Sequence, residues 1–458
     1  MSKWKWIPVA LVSALAGGSI AYTYAGLERS ELSKLERAMD MIETGYLEPV
    51  DRTKLIDGAI DGMLKSLEDP YTTYMNQEEA EAFYQSINAS FEGIGATMEE
   101  IDGRIVVVAP IKGSPAEAAG VKPGDQVVKV GEKSLEGLKV HEAVLLIRGK
   151  KGTTAELTIL RDGREIKLSI VRDTIPLQTV YAELREDGVG VIRIASFAEK
   201  TAAEFETEAK RLLAEGMKAL VIDMRQNPGG VTDAAQAIAE TLVEEGKPIV
   251  QFKRRGVPVD IVRSDFRDIG IAGLPVAAVI DGGSASAAEI VAGALQQSAG
   301  VPLVGEKTFG KGTAQLSQPF RDGSSMKMTV AEWLTPNGDS IQDRGLAPDH
   351  EVKLPPYAAL PLVSDELVMK ENEFSDDIRA VQTMLKSQGF DPGREDGFFD
   401  AKTADAVRRY QASKQLERTG VVTGETTRAL IADVRETIRA NDTQLEAAAA
   451  LVKERLRQ

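Results

Sequence analysis

The chain has 458 residues, 43% of them hydrophobic and 27% charged, with a formal net charge of −15. That length exceeds one ordinary core and suggests about three domains, while the acidic balance disfavours a nucleic-acid partner, whose phosphates need basic surface. There are no cysteines and only two histidines, His141 and His350; this excludes disulfides, a cysteine nucleophile, a lipidated anchor and histidine-rich zinc motifs, and no metal or cofactor is expected.

Lys3 and Lys5 precede Ile7–Ala25, nineteen residues without a charge. Nineteen is near the lower limit for crossing a bilayer, and lysines kept inside place the remainder outside the cytoplasm. Residues 1–26 are therefore read as a single N-terminal membrane anchor with extracytoplasmic domains. The alternative is a signal peptide cleaved after Thr23-Tyr24-Ala25, giving a secreted protein.

Residues 27–88 read as a helical cap. Leu32, Leu35, Ala38, Met39 and Ile42 recur at spacings of three and four, and a second helix runs from Thr53 to about Leu67, before Asp69-Pro70. Such apolar faces pack on another domain or a partner chain. Together with the Ala-rich C-terminus, they are the basis for expecting a homodimer.

Residues 89–174 form a small β-rich domain. Strands at 105–108, 126–130, 155–159 and 166–170 are separated by glycine turns, with one helix over about 140–147. Residues 175–355 alternate strands with helices. Strands at 189–194, 219–223 and 276–280 precede helices at 202–215, 234–244 and 287–297, implying a mixed, largely parallel sheet with chemistry at its C-terminal ends. Leu354-Pro355-Pro356 to Pro361 is a linker. A helical bundle over 374–432 and a helical tail over 433–458 follow. The fold class is multidomain α/β.

Three segments place unusual chemistry just after predicted strands: Arg225-Gln226-Asn227-Pro228-Gly229-Gly230, Asp281-Gly282-Gly283-Ser284-Ala285-Ser286-Ala287-Ala288-Glu289, and Thr308-Phe309-Gly310-Lys311-Gly312-Thr313-Ala314-Gln315. In the second, small residues allow a sharp turn, and the next helix offers unpaired N–H groups. A serine there can attack a carbonyl while the Ala287 N–H, with Gly229 and Gly230 as a second source, steadies the oxyanion. Such a turn is also, more often, only a helix cap. A serine needs a base; the two histidines are poorly placed, and a lysine serves when burial favours its neutral form. Lys311 lies between glycines beside apolar Phe309, which suits burial, although an exposed loop lysine is the better reading from this segment alone. Gly305 to Lys311 has the spacing of a phosphate-binding loop, but Gly312 stands where that loop needs Ser or Thr.

In this order the three segments resemble those of the C-terminal processing (tail-specific) serine proteases. Gly-Ser-Ala-Ser-Ala followed by Gly-Lys-Gly-Thr-x-Gln matches that family's pattern. The resemblance implies Ser286 as nucleophile, Lys311 as base and Gln315 as the residue orienting the amine. It also assigns Asn227-Pro228-Gly229-Gly230 to the oxyanion loop, Gly345-Leu346-Ala347-Pro348-Asp349 to the closing signature, and Asp69-Pro70-Tyr71 to the N-terminal cap. The β-rich segment resembles the family's PDZ domain, with Gly93, Ile94, Gly95 and Ala96 as the loop that binds a peptide carboxylate. The family further implies that the PDZ domain gates the site, with Arg148 a possible sensor; His141 reads as a surface histidine. Asp281 and Ala288 depart from the pattern without removing a catalytic group.

Residues 374–432 resemble peptidoglycan-binding domains through Val381-Gln382, Gly389-Phe390, Asp396-Gly397-Phe398-Phe399 and Tyr410-Gln411; a structural three-helix bundle is the plain alternative. The function implied is an extracytoplasmic serine endopeptidase acting near the C-terminal tails of protein substrates and attached to peptidoglycan. A catalytically silent PDZ and cell-wall scaffold is the rival.

Overall fold

A computed structural model describes residues 32–457 apart from 102 and 362. The expected anchor over 1–26 lies outside the described residues. No helix among those described is long and apolar enough to cross a membrane. The chain divides into two compact units, one made of residues up to 81 together with 315–329, the other of 82–314 and 330 onward.

In the first unit a helix over 32–45 is followed by Arg52–Lys65, whose N-cap Asp51 accepts from the Thr53 N–H. After Glu68, which adopts a positive φ of 52°, Asp69 closes a turn by accepting from the Tyr71 N–H and the Thr72 hydroxyl. The turn delivers the strand Thr73–Met75, which pairs antiparallel with Ser325–Lys327. Leu35, Met41, Ile42, Leu47, Ile56 and Met63 stay exposed, so both helices carry uncovered apolar surface.

The second unit contains the PDZ-like sheet, with Ala96–Ile101, Arg104–Pro110, Gln126–Val130, Thr154–Arg161 and Arg164–Val171 hydrogen-bonded antiparallel in that order. The helix Val140–Ile147 lays Ala143 and Ile147 on a core of Ile105, Val107, Val127, Leu157, Ile159 and Ile170. Ser90–Gly93 pairs with Asp173–Pro176, so the domain enters and leaves through one two-stranded ribbon.

The same unit holds a six-stranded sheet in the order Val180–Leu184, Val189–Ile194, Ala219–Asp223, Val276–Ile280, Leu303–Gly305 and His350–Glu351. The first pair is antiparallel and the rest parallel. Ala219–Asp223 and Val276–Ile280 are buried throughout, as uninterrupted apolar strands require when both faces are covered. Helices Thr201–Ala214, Thr232–Ala239 and Ala287–Ala299 supply one cover. The middle helix stops at Ala239, short of the Glu244 expected.

The other cover comes from the end of the chain. Ala448, Ala449 and Val452 of the tail helix Thr443–Arg455 pack on Val189, Val191, Val221, Ala277, Val279 and Val304. The helical tail expected over 433–458 thus spends its Ala-rich face, on which the expected homodimer was partly based, on its own chain. The boundary expected at 432 also falls inside a helix, Glu425–Ala440. That helix, with Asp376–Ser387 and Ala401–Ser413, forms the C-terminal bundle around Leu385, Phe399, Val407 and Tyr410.

Candidate active site

The loop after Val276–Ile280 turns into the helix Ala287–Ala299 through Ser286, which sits at φ 55° and ψ −114°. A non-glycine residue held there stores about 1–3 kcal/mol, and such strain clusters at functional sites. Ser286 is half-buried. Ser284, by contrast, is fully buried and occupied: its Oγ donates to the Met224 carbonyl at 2.8 Å and accepts from the Asp281 N–H at 3.0 Å. Of the two serines, only Ser286 is placed to meet a substrate.

The Arg225–Gly230 loop is bound to this turn. Asp281 Oδ1 accepts the Gln226 N–H at 2.9 Å and Oδ2 the Gln226 side-chain amide at 2.8 Å. The Asn227 carbonyl accepts the Ala285 N–H at 2.9 Å, and the Asn227 Nδ2 donates to the Ile194 carbonyl at 2.8 Å. Asp281 thus ties the two loops together. At Gly229 (φ 96°) an added Cβ would lie 2.7 Å from the Ala285 carbonyl and 2.8 Å from the Ser286 Cβ. The backbone therefore touches the Ser286 turn.

The three expected oxyanion donors are not equivalent. The Gly229 N–H is committed to Asn227 Oδ1 at 2.9 Å, because the buried asparagine closes its own turn. The Gly230 N–H meets no acceptor among the described residues. Ala287 is the first residue of its helix, so its N–H has none within that helix. Of the three, Gly230 and Ala287 keep N–H groups that meet no acceptor among the described residues.

Lys311 is half-buried. Its carbonyl accepts from the Trp333 indole at 2.9 Å, and the glycines on either side press on another segment. A Cβ on Gly310 would lie 2.8 Å from the Gly345 nitrogen, and one on Gly312 2.8 Å from the Gln342 nitrogen. Phe309, the apolar neighbour expected to suit burial of Lys311, is itself 56% exposed; Trp333 and residues 341–345 pack on the backbone here. A strand, Thr313–Pro319, follows where a phosphate-binding loop would need a helix. Gln315 lies on this strand and donates from Nε2 to the Thr329 hydroxyl at 3.2 Å.

Sequence reasoning missed Glu289. Its side chain is fully buried, and its Oε2 accepts both the Ser286 N–H at 2.8 Å and the Lys311 N–H at 2.9 Å. Its Oε1 accepts the Thr308 hydroxyl at 2.6 Å and the Gly310 N–H at 2.7 Å. One oxygen atom shared by two amides holds the backbone nitrogens of Ser286 and Lys311 within two hydrogen-bond lengths of each other. The available signal was the glutamate three residues after a serine at a helix start, the spacing of a capping box.

In the β-rich domain the Ile94 and Gly95 carbonyls are taken by Ala116, Ile111 and Ser114, while their N–H groups meet no acceptor among the described residues. Gly93 and Ala96 flank them at the ends of the strands Ser90–Gly93 and Ala96–Ile101. Two adjacent unoccupied N–H groups are the arrangement that captures a peptide carboxylate. The Arg148 guanidinium stacks 4.7 Å from the Phe91 ring, and its Cγ would lie 3.8 Å from a Cβ on Gly93. His141 is exposed on the helix beside it.

The chain matches the model of peptidase family S41 over residues 188–352 and a PDZ domain model over 93–171. It is 42% identical over 428 residues to the carboxy-terminal processing protease CtpA of Bacillus subtilis (strain 168), covering 93% of this chain and 91% of that one. It belongs to the carboxy-terminal processing proteases. CtpB of the same organism is 40% identical over 437 residues, covering 93% and 90%. The CtpB N-terminal domain model matches residues 18–79 and a peptidoglycan binding domain model 374–430. A solved structure of the photosystem II D1 C-terminal processing protease is 29% identical, covering 68% of this chain and 86% of that one, with a TM-score of 0.42. This protease is thus a serine-type peptidase of mixed α/β architecture with a PDZ domain and a C-terminal peptidoglycan-binding-type domain.

Proposed function

We propose that Ser286 and Lys311 form the catalytic dyad of an extracytoplasmic endopeptidase that cleaves near the C-terminal tails of protein substrates and is gated by its PDZ domain. The supporting observation is the single Glu289 oxygen that binds the amides of both residues. Neutral Lys311 takes the Ser286 proton as the hydroxyl attacks the scissile carbonyl. The oxyanion then lies between the Gly230 and Ala287 N–H groups. Collapse forms the acyl-enzyme, and Lys311 returns the proton to the leaving amine; water then releases the acyl group by the reverse sequence. The role of Gln315 rests on the family motif.

Tail capture by the Ile94 and Gly95 N–H groups, read by Arg148, supports gating. The uncharged run of 7–25 behind Lys3 and Lys5 supports a membrane anchor, and the C-terminal bundle supports attachment to peptidoglycan. The test is cleavage of a protein with a flexible tail. Ser286→Ala and Lys311→Ala are expected to abolish it, amidating the tail to weaken it, and Arg148→Ala to remove the difference between free and amidated tails. Because only an uncharged amine accepts the proton, the rate should rise with pH on the alkaline side. Wild-type cleavage by Ser286→Ala, or a flat profile from about pH 5 to 9, would end this reading.

A further inference from the structure

The oxyanion loop begins at Arg225, and what holds Arg225 comes from the far end of the chain. Its guanidinium makes a two-pronged pair with Asp223, Nε to Oδ1 at 2.9 Å and Nη2 to Oδ2 at 2.7 Å. A second two-pronged pair goes to Asp442, Nη1 to Oδ1 at 2.8 Å and Nη2 to Oδ2 at 2.7 Å. Nη1 also reaches Gln444 Oε1 at 3.1 Å. Burial disfavours the charge on Arg225, but the two carboxylates outweigh it and push its pKa up. A guanidinium held from both edges fixes its own plane and the backbone that bears it.

That backbone leads at once into the chemistry. Gln226, at φ 54°, is tied to Asp281 of the serine turn, and Gly230 follows four residues later. On the other side, Asp442 caps the tail helix by accepting the Leu445 N–H at 3.0 Å. Gln444 is fully buried and donates to the Val352 carbonyl at 2.8 Å, while the Thr443 hydroxyl donates to the Lys353 carbonyl at 3.0 Å. The C-terminal bundle therefore leaves and rejoins the protease core at one point, and that point abuts Arg225. Two further pairs, Arg185–Glu446 at 2.8 Å and Lys453–Asp187 at 2.9 Å, fasten the same helix without touching the loop.

We propose that Asp442 is a positioning residue for peptide-bond hydrolysis, acting through Arg225 on the loop that presents the Gly230 N–H, so that the exit of the C-terminal module is part of the active-site frame. This rests on the reading of Ser286 and Lys311 as the catalytic pair. An oxyanion donor is worth most in the transition state. Loss of its alignment therefore lowers kcat and the affinity for an oxyanion mimic, and leaves substrate binding alone.

The test compares Asp442→Asn, Asp442→Glu and Glu446→Gln in the full chain with wild type, Ser286→Ala and Lys311→Ala. The readouts are kcat and KM on a tagged-tail protein, inhibition by a peptide boronate, and the melting temperature. Asp442→Asn is expected to lower kcat and boronate affinity together by about 10–100-fold with KM within about twofold. Asp442→Glu, which keeps the charge, recovers part of the loss. Glu446→Gln, which weakens the same helix elsewhere, keeps kcat within about twofold even where it melts earlier. If Asp442→Asn does not fold, the milder Asp442→Glu carries the comparison. An Asp442 variant with wild-type kcat, or a loss of kcat that Glu446→Gln matches, overturns the proposal. Activity surviving in Ser286→Ala overturns the dyad itself.

Discussion

Glu289→Gln keeps the side chain's shape and removes its charge. The four donors around Glu289 divide into two pairs, and the new amide nitrogen must face one of them. Facing Ser286 and Lys311 it would strand two buried backbone N–H groups against a third donor. Facing Thr308 and Gly310 costs less. The Thr308 hydroxyl already accepts the Leu346 N–H at 2.7 Å and has a second lone pair for the amide, but its own hydrogen, which Glu289 Oε1 accepted, is orphaned together with the Gly310 N–H. Two stranded donors cost about 1–3 kcal/mol each, and the two surviving bonds lose roughly 1 kcal/mol each with the charge, giving about 4–8 kcal/mol. That is a large part of the 5–15 kcal/mol that holds a typical domain together.

The loss should appear locally, because the stranded amide adjoins Lys311. Hydrogen exchange at Gly310 and Lys311 is expected to speed up by about three orders of magnitude or more, in line with that energy. The value of kcat/KM on a tagged-tail substrate should fall at least as steeply as the fraction of closed loop. Unchanged exchange at both amides, with kcat/KM within about twofold of wild type, would show that Glu289 does not hold the serine and lysine segments together.

Three further outcomes follow from the same contacts. Gly229→Ala puts a Cβ 2.7 Å from the Ala285 carbonyl, so kcat should drop by about 100-fold or more; steady-state kinetics showing wild-type kcat would contradict the packing described. Gly95→Ala puts a Cβ 2.5 Å from the Ser114 Cβ at a positive φ of 77°, and should weaken tail-peptide binding, read by fluorescence polarisation, by about tenfold or more. In the PDZ domain, burial works to raise the Asp125 pKa, but its two-pronged pair with Arg161, at 2.6 and 2.7 Å, and the Lys122 N–H outweigh this and hold it below the ordinary carboxylate value. A depressed folded-state pKa gives stability that is present above the unfolded value of about 4 and lost as pH falls through the folded one. Exchange protection of the strand Gln126–Val130 should therefore fall on acidification, and Asp125→Asn should remove that dependence; an unaltered profile in the variant would refute it.

Much of this protein is legible in its residues. Alternation and glycine turns mark the PDZ strands, and the apolar runs at 189–194, 219–223 and 276–280 mark a sheet covered on both faces. The ordered Asn-Pro-Gly-Gly, Ser-Ala-Ser and Gly-Lys-Gly segments single out the loops at its C-terminal ends. These are local patterns, fixed by side-chain period and by backbone freedom within a few residues.

What stayed hidden depends on partners distant in the chain. No period in 433–458 says that Ala448 and Val452 cover Val221 and Val279, or that Asp442 grips Arg225 across more than two hundred residues. Whether Gly229, Gly230 or Ala287 offers a free N–H turns on where the Asn227 amide points, and a glutamate three residues past a serine reads as a helix cap until the fold brings Lys311 to it. Local preference sets the elements. The hydrogen bonds that position a reacting group are decided only when distant segments are packed, because a buried donor must find its acceptor wherever the chain has placed one.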